Sequence, residues 1–158
     1  MAERKNHLKI LVLCTGNSCR SQMAQGFLQS FNKRLKVFSA GTEPAERINP
    51  TAVKVMKELG IDISTNKPVS VDKYLNEEWD YVITVCDDAN ESCPFFPGIV
   101  RKRQHLGFED PSIVKGTENE ILKAFYNVRN KIRDEFYALY ESELKKKSIY
   151  FISFYSLL

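Results

Sequence analysis

The sequence predicts an α/β protein: a four-stranded parallel sheet with helices on both faces. Three observations predict it. Leu8-Lys9-Ile10-Leu11-Val12-Leu13 is nearly all branched aliphatic, the composition of a short strand buried on both faces. Tyr81-Val82-Ile83-Thr84-Val85 repeats that character, with β-branched residues between polar flanks. Stretches with apolar residues at helical spacing follow, so strands and helices alternate as they do around a covered parallel sheet. In such a sheet the functional site is expected at the C-terminal ends of the strands.

The first strand runs into the polar loop Cys14-Thr15-Gly16-Asn17-Ser18-Cys19-Arg20-Ser21. After it Met23, Phe27 and Phe31 recur at i, i+4 and i+8, with Ala24 and Leu28 beside them, which makes one apolar helix stripe. The loop therefore joins a buried strand end to a helix N-terminus. Free N–H groups and the positive end of the helix dipole meet there and form an anion site. A helix N-terminus and a nearby cation both lower a thiol pKa, and Cys14 has both, with Arg20 at the far end of the loop. The N–H groups of Thr15, Gly16, Asn17, Ser18, Cys19 and Arg20 are expected to circle one point and hold a tetrahedral oxyanion. Arg20 adds a bidentate fork. Gly16 is expected to turn without a Cβ clash, Asn17 to tolerate left-handed geometry, and Ser21 to donate its hydroxyl to the Cys14 sulfur. The plainer alternative is a buried strand-end cysteine beside a surface arginine. It leaves the order of strand, loop and helix unexplained.

At 158 residues the chain is long enough to bury one proper core. Its net charge of +3 favours neither nucleic acid nor an anionic membrane as partner. Met1 to His7 is a polar lead-in, and the apolar run after it is short, carries Lys9 and ends in a polar loop. It reads as a strand rather than a signal peptide, which predicts a cytoplasmic protein. Four cysteines in a reducing compartment point to catalysis or metal binding rather than to structural disulfides. Their spacings, Cys-x4-Cys and Cys-x6-Cys, with few histidines nearby, do not fit structural zinc, and no metal is expected.

Lys36-Val37-Phe38-Ser39-Ala40 reads as the second strand. Asn49 caps a helix with Pro50 at its first position, buried through Ala52, Val55, Met56 and Leu59, with Gly60 as its stop. Ser70 to Leu75 is expected to form a short helix. The third strand ends at Cys86. If it neighbours the first, the strand spacing of about 4.8 Å brings Cys14 and Cys86 within the Cα separation a disulfide needs, although strand cysteines are also commonly buried for packing alone. Cys86 and Cys93 bracket Asp87-Asp88-Ala89-Asn90-Glu91-Ser92, a polar stretch able to form a short helix. On a continuous helix, positions seven apart lie about 10.5 Å apart. A Cys86–Cys93 bond therefore requires the segment to unwind.

Arg101 to Phe108 is strongly polar for a strand and is placed at the sheet edge. His105 reads as a surface or hydrogen-bonding residue. Asp110-Pro111 taken alone is only a turn. Thr117-x-x-Glu120 is a capping box opening a long helix with Ile121, Phe125, Val128, Ile132, Phe136 and Leu139 on its buried stripe. Residues 1–147 read as one domain and 148–158 as an apolar extension. The extension is too short for the roughly 20 residues a bilayer crossing needs, and is read as packing on the domain or meeting a second subunit.

Cys-x5-Arg-Ser after the first strand resembles the low-molecular-weight protein tyrosine phosphatase superfamily. The fuller string CTGNSCRSQMA, with Cys86 and Cys93, resembles its thioredoxin-coupled arsenate reductase branch. The resemblance implies strand order 2-1-3-4 and makes Asp110 the general acid of an Asp-Pro loop over the anion site. It also implies a relay that reduces arsenate to arsenite. Cys14 attacks arsenate, Cys86 attacks Cys14, and Cys93 attacks Cys86. Thioredoxin then reduces the Cys86–Cys93 pair, and no bound cofactor is needed. Cys19 is left a structural role. Some members hold a potassium ion beside the loop, but Gln25 and Val69 stand where acidic ligands are expected. The alternatives are a phosphatase using only Cys14, Arg20 and Asp110, and a non-enzymatic arsenic-binding or thiol-sensor protein.

Overall fold

A computed structural model of the chain describes residues 7–153, with side chains described to residue 149. Residues 1–6 of the polar lead-in and 154–158 of the apolar C-terminal extension lie outside them. The elements are β1 (Lys9–Cys14), α1 (Arg20–Phe31), β2 (Lys36–Gly41), α2 (Pro50–Lys57), β3 (Trp79–Thr84), α3 (Asp87–Glu91), β4 (Val100–His105), α4 (Glu118–Leu139) and α5 (Lys145–Ser153). All strand pairs are parallel, in the order β2-β1-β3-β4. The most aliphatic strands, β1 and β3, thus take the centre, and the polar β4 takes an edge.

The two faces of the sheet are covered differently. On one face Ile10, Val12, Tyr81 and Ile83 join Met23, Phe27, Val55, Met56, Ile132 and Phe136, a core supplied by the long helices α1, α2 and α4. On the other, Leu11, Leu13 and Val82 meet Val71, Tyr74, Trp79 and Phe96. The cover here is a 3₁₀ turn at Val71–Tyr74 and the segment after α3, with no long helix. Aromatic bulk fills the space: Tyr74 and Trp79 pack edge to face with ring centres 5.5 Å apart. Trp79 satisfies its buried Nε1–H on the Tyr74 carbonyl at 3.0 Å.

Local signals set the helix starts. Asn49 Oδ1 accepts from the Thr51 N–H at 2.9 Å, capping α2 before Pro50. Thr117 and Glu120 form the reciprocal capping box of α4, whose buried residues include Phe125, Val128, Ile132, Phe136 and Leu139. One expectation fails. Leu59 is 41% exposed, because α2 ends at Lys57 before the stripe reaches it, and Gly60 then turns the chain at φ +75°. Past β4 the Leu106 N–H bonds to the Thr84 carbonyl and the Phe108 N–H to the Val85 carbonyl, at 2.9 and 3.1 Å. These bonds swing the following Asp-Pro loop across the end of β3. Among the described residues no helix is long and apolar enough to cross a membrane.

Candidate active site

The loop between β1 and α1 is held from outside through its carbonyls. Thr42 N–H donates to the Cys14 carbonyl, Glu43 to Thr15, Ala45 to Gly16 and Asn49 to Ser18, at 2.9 to 3.2 Å. The N–H groups of Thr15, Gly16, Ser18 and Cys19 donate to no backbone carbonyl among the described residues. Carbonyls turned out and N–H groups left free make an anion cradle at the start of a twelve-residue helix.

The strained position of the cradle is Asn17, at φ +51°. A buried network fixes it. Its Nδ2 donates to Ser21 Oγ at 2.8 Å and Ser39 Oγ at 2.9 Å, and its Oδ1 accepts from the Val69 N–H at 2.9 Å. Two expectations are corrected here. Gly16 has ordinary room for a Cβ, the nearest atom being Ser18 Oγ at 3.6 Å. The glycine that the loop requires is Gly41, where a Cβ would lie 2.4 Å from the Thr15 carbonyl oxygen. Ser21 spends its oxygen on Asn17 and makes no hydrogen bond to the Cys14 sulfur among the described residues. The network also bears on a cation. Ser39 donates to Gln25 Oε1 at 2.6 Å, Asn17 Oδ1 is taken by a backbone N–H, and neither Gln25 nor Val69 brings a charge. These residues do not fit a bound potassium ion. No cluster of three or more His, Cys, Asp or Glu side chains able to hold a metal occurs among the described residues.

Arg20, the first residue of α1, reaches across to the Asp-Pro loop. One guanidinium nitrogen donates to the Phe108 carbonyl at 3.0 Å and the other to Asp110 Oδ2 at 3.1 Å. Its Nε–H is buried without a partner. An orphaned donor of this kind costs free energy until something accepts from it, and with the free loop amides it makes a set of donors suited to an oxyanion. Asp110 Oδ1 caps the following turn through the Ser112 N–H at 2.9 Å. A cavity of about 560 Å³ lined by Arg47, Ile48, Asn66 and Lys67, among others, lies to one side and includes none of these groups.

A second thiol enters the sulfur chemistry. Cys14 closes β1, and Cys86, two residues past the end of β3, is the N-cap residue of α3; both are buried, and each sulfur shifts the pKa of the other. Cys86 is pulled down to about 5. The neighbouring Cys14 thiol is the first cause, helped by Thr15, whose hydroxyl lies 3.3 Å from the sulfur, the Ala89 N–H and Arg20. Cys14 is pushed up by Cys86 and by burial, while Arg20 and the Asn17 N–H pull it down. The lowered pKa belongs to the two sulfurs together rather than to either one. The pair shares one proton and titrates as a unit. Cys19 is inert by comparison, pushed up to about 12 by burial and then by Asp110.

Cys93 stands apart, half-buried on the other face of the sheet, with Arg103 Nη1 donating to its sulfur at 3.5 Å. His105 bonds Thr84 and Asp87 at 2.8 and 3.0 Å, as a hydrogen-bonding residue. The structure therefore brings Cys14, Cys86, Arg20 and Asp110 together and leaves Cys93 outside. Sequence reasoning missed Gly41 and the Thr15–Cys86 contact; both depend on which strands are neighbours, a signal absent from local sequence.

Residues 9–149 match the model of the low molecular weight phosphotyrosine protein phosphatase family, and the chain belongs to that family. It is 47% identical over 126 residues to an arsenate reductase of Oceanobacillus iheyensis, covering 79% of this chain and 89% of that protein. Among solved structures, an arsenate reductase in its oxidised state matches with a TM-score of 0.72 at 27% identity, over 85% of this chain and 97% of that one. A thioredoxin-dependent arsenate reductase of Corynebacterium glutamicum matches at 0.58 and 27% identity, over 89% of this chain and 65% of that one.

Proposed function

We propose that the chain reduces arsenate to arsenite through Cys14, Cys86 and Cys93, with thioredoxin as the electron source. Thr15 to Ser21 and the Arg20 fork bind the oxyanion. Cys14 attacks arsenic as its proton passes to Cys86, and Asp110 protonates the departing oxygen, which leaves as water. Cys86 sheds its proton, the Thr15 hydroxyl and Ala89 N–H stabilising the thiolate, and attacks the Cys14 sulfur. The sulfur–arsenic bond breaks with its electron pair on arsenic, which departs as arsenite, and a Cys14–Cys86 disulfide forms. Cys93 then displaces Cys14 from Cys86, and thioredoxin reduces the resulting Cys86–Cys93 bond. A relay of free thiols belongs in a reducing compartment, so we assign the protein to the cytoplasm.

The observation that carries this reading is the Cys14–Cys86 thiol pair at the oxyanion cradle. Ester hydrolysis has no use for a second nucleophilic sulfur beside the first. A phosphatase activity is nonetheless expected beside the reductase, since Cys14, Arg20 and Asp110 suffice for it and arsenate and phosphate are near-isosteric. The test is NADPH consumption with arsenate, thioredoxin and thioredoxin reductase. Wild type is expected to turn over repeatedly and Cys93→Ser to stop after one cycle. Hydrolysis of an aryl phosphate by both without NADPH consumption would make the phosphatase the main activity. Arsenic binding without turnover would make the protein a sensor.

A further inference from the structure

The two cysteines that the relay joins last lie in different cores. Cys86 packs with Cys14 under α1 and α4, whereas Cys93 packs against the cluster of Val82 and Phe96 on the opposite face. Between them runs α3. The edge strand β4 holds both ends of this segment. At its start, His105 Nε2 lies 3.0 Å from Asp87 Oδ1. The His105 Nδ1 is tied at 2.8 Å to Thr84 Oγ1, which also donates to Asn90 Oδ1 at 3.3 Å. At its end, Arg103 donates to the Cys93 sulfur at 3.5 Å, its guanidinium 5.1 Å from the centre of the Phe96 ring. Arg103 and His105 pair in register with Val82 and Thr84, so the two share one face of β4. Arg103 has no carboxylate partner among the described residues; its charge is directed at the thiol and an aromatic ring. A cleft of about 300 Å³ lies among Thr84, Asn90, Cys93, Arg103 and His105.

Building on the relay reading, we infer that Arg103 and His105 are positioning residues for the second exchange. They hold the 87–93 segment closed in the reduced protein and keep the Cys93 sulfur on the far face of the sheet. In the step itself the Cys93 thiolate attacks the Cys86 sulfur, the Cys14–Cys86 bond breaks, and Cys14 leaves as a thiolate. Electrons balance without an outside oxidant. To bond Cys86, the Cys93 sulfur must come within about 2.05 Å of it and so leave Arg103. The two latches therefore belong to the dithiol form alone and oppose the Cys86–Cys93 disulfide.

The experiment uses the full chain carrying Cys14→Ser, so that Cys86 and Cys93 form the pair under test. It is equilibrated in dithiothreitol buffers of graded ratio, trapped by alkylation and read by peptide mass. Removing a contact worth one hydrogen bond by Arg103→Met raises the equilibrium constant for the disulfide about fivefold, a potential about 20 mV more negative for a two-electron couple. His105→Ala acts in the same direction, and Arg103→Lys, which keeps a donor, recovers part of the change. A purely structural role would weaken both redox forms alike. Unchanged constants in variants whose reduced forms melt as the parent does would overturn the proposal. If the parent itself forms no Cys86–Cys93 disulfide in the most oxidising buffer, the relay reading fails and the latch with it.

Discussion

Replacing Cys14 with alanine tests where the negative charge sits. Cys86 is pulled down to about 5 in the wild type, and the first cause is the neighbouring Cys14 thiol as a donor. Alanine removes that donor but leaves the Thr15 hydroxyl at 3.3 Å, the Ala89 N–H and Arg20. A hydrogen bond to a charged group contributes about 1.5–3 kcal/mol, and each pH unit corresponds to about 1.36 kcal/mol. The Cys86 inflection therefore moves up by about one to two pH units. Thiolate absorbance near 240 nm, or the pH dependence of iodoacetamide labelling mapped to Cys86, measures it. An inflection that does not move in Cys14→Ala, or a wild-type Cys86 that labels no faster than an ordinary thiol at neutral pH, would refute the shared proton.

The same pair shapes stability. Cys86 is lowered in the folded state from the ordinary 9.0, so its contribution is present above pH 9 and is lost as pH falls through about 5. Cys14 is raised, so its contribution is present below 9 and is lost above it. The urea midpoint of the reduced wild type, measured against a Cys14→Ala/Cys86→Ala double variant, should gain with pH from 5 to 9 and then decline. Gly41→Ala places a Cβ 2.4 Å from the Thr15 carbonyl oxygen. The loop must shift, and a displacement near 1 Å lowers kcat/KM about 100-fold while the far-UV circular dichroism stays unchanged. Arg20→Lys keeps the charge but loses the fork and the Nε–H, and should cost about 10²–10³ in kcat/KM for oxyanion substrates. Thr117→Ala removes the capping box of α4 and should cost about 1 kcal/mol in urea unfolding, with activity intact because Thr117 lies in no contact with the site.

Much of this architecture is written locally. The aliphatic β1, the stripe of α1, the Asn49-Pro50 start of α2 and the Thr117–Glu120 box each depend on neighbours within a few residues, and each forms where local chemistry directs. The polar β4 reveals its edge position through composition alone. What stays hidden is decided across the sheet. Nothing near Cys14 in sequence says that a second thiol will titrate with it, because that follows from β1 and β3 lying side by side. Gly41 looks like a strand terminator until the end of β2 is seen pressed against Thr15. Leu59 fits the α2 stripe by period but falls past a helix that ends early. Arg103 reads as one more charge in a basic strand, and only the fold of the segment after α3 brings the Cys93 sulfur to it.

The step on which the relay depends is attack of the Cys86 thiolate on the Cys14 sulfur, which forms a disulfide as the sulfur–arsenic bond breaks and its electron pair leaves with arsenite. It is tested most directly by a single turnover of reduced Cys93→Ser with excess arsenate and no thioredoxin, quenched in acid and mapped by peptide mass. One arsenite should be released per chain, together with a Cys14–Cys86 disulfide. Free Cys14 and Cys86 thiols with no arsenite, in a protein that still hydrolyses an aryl phosphate, would contradict it.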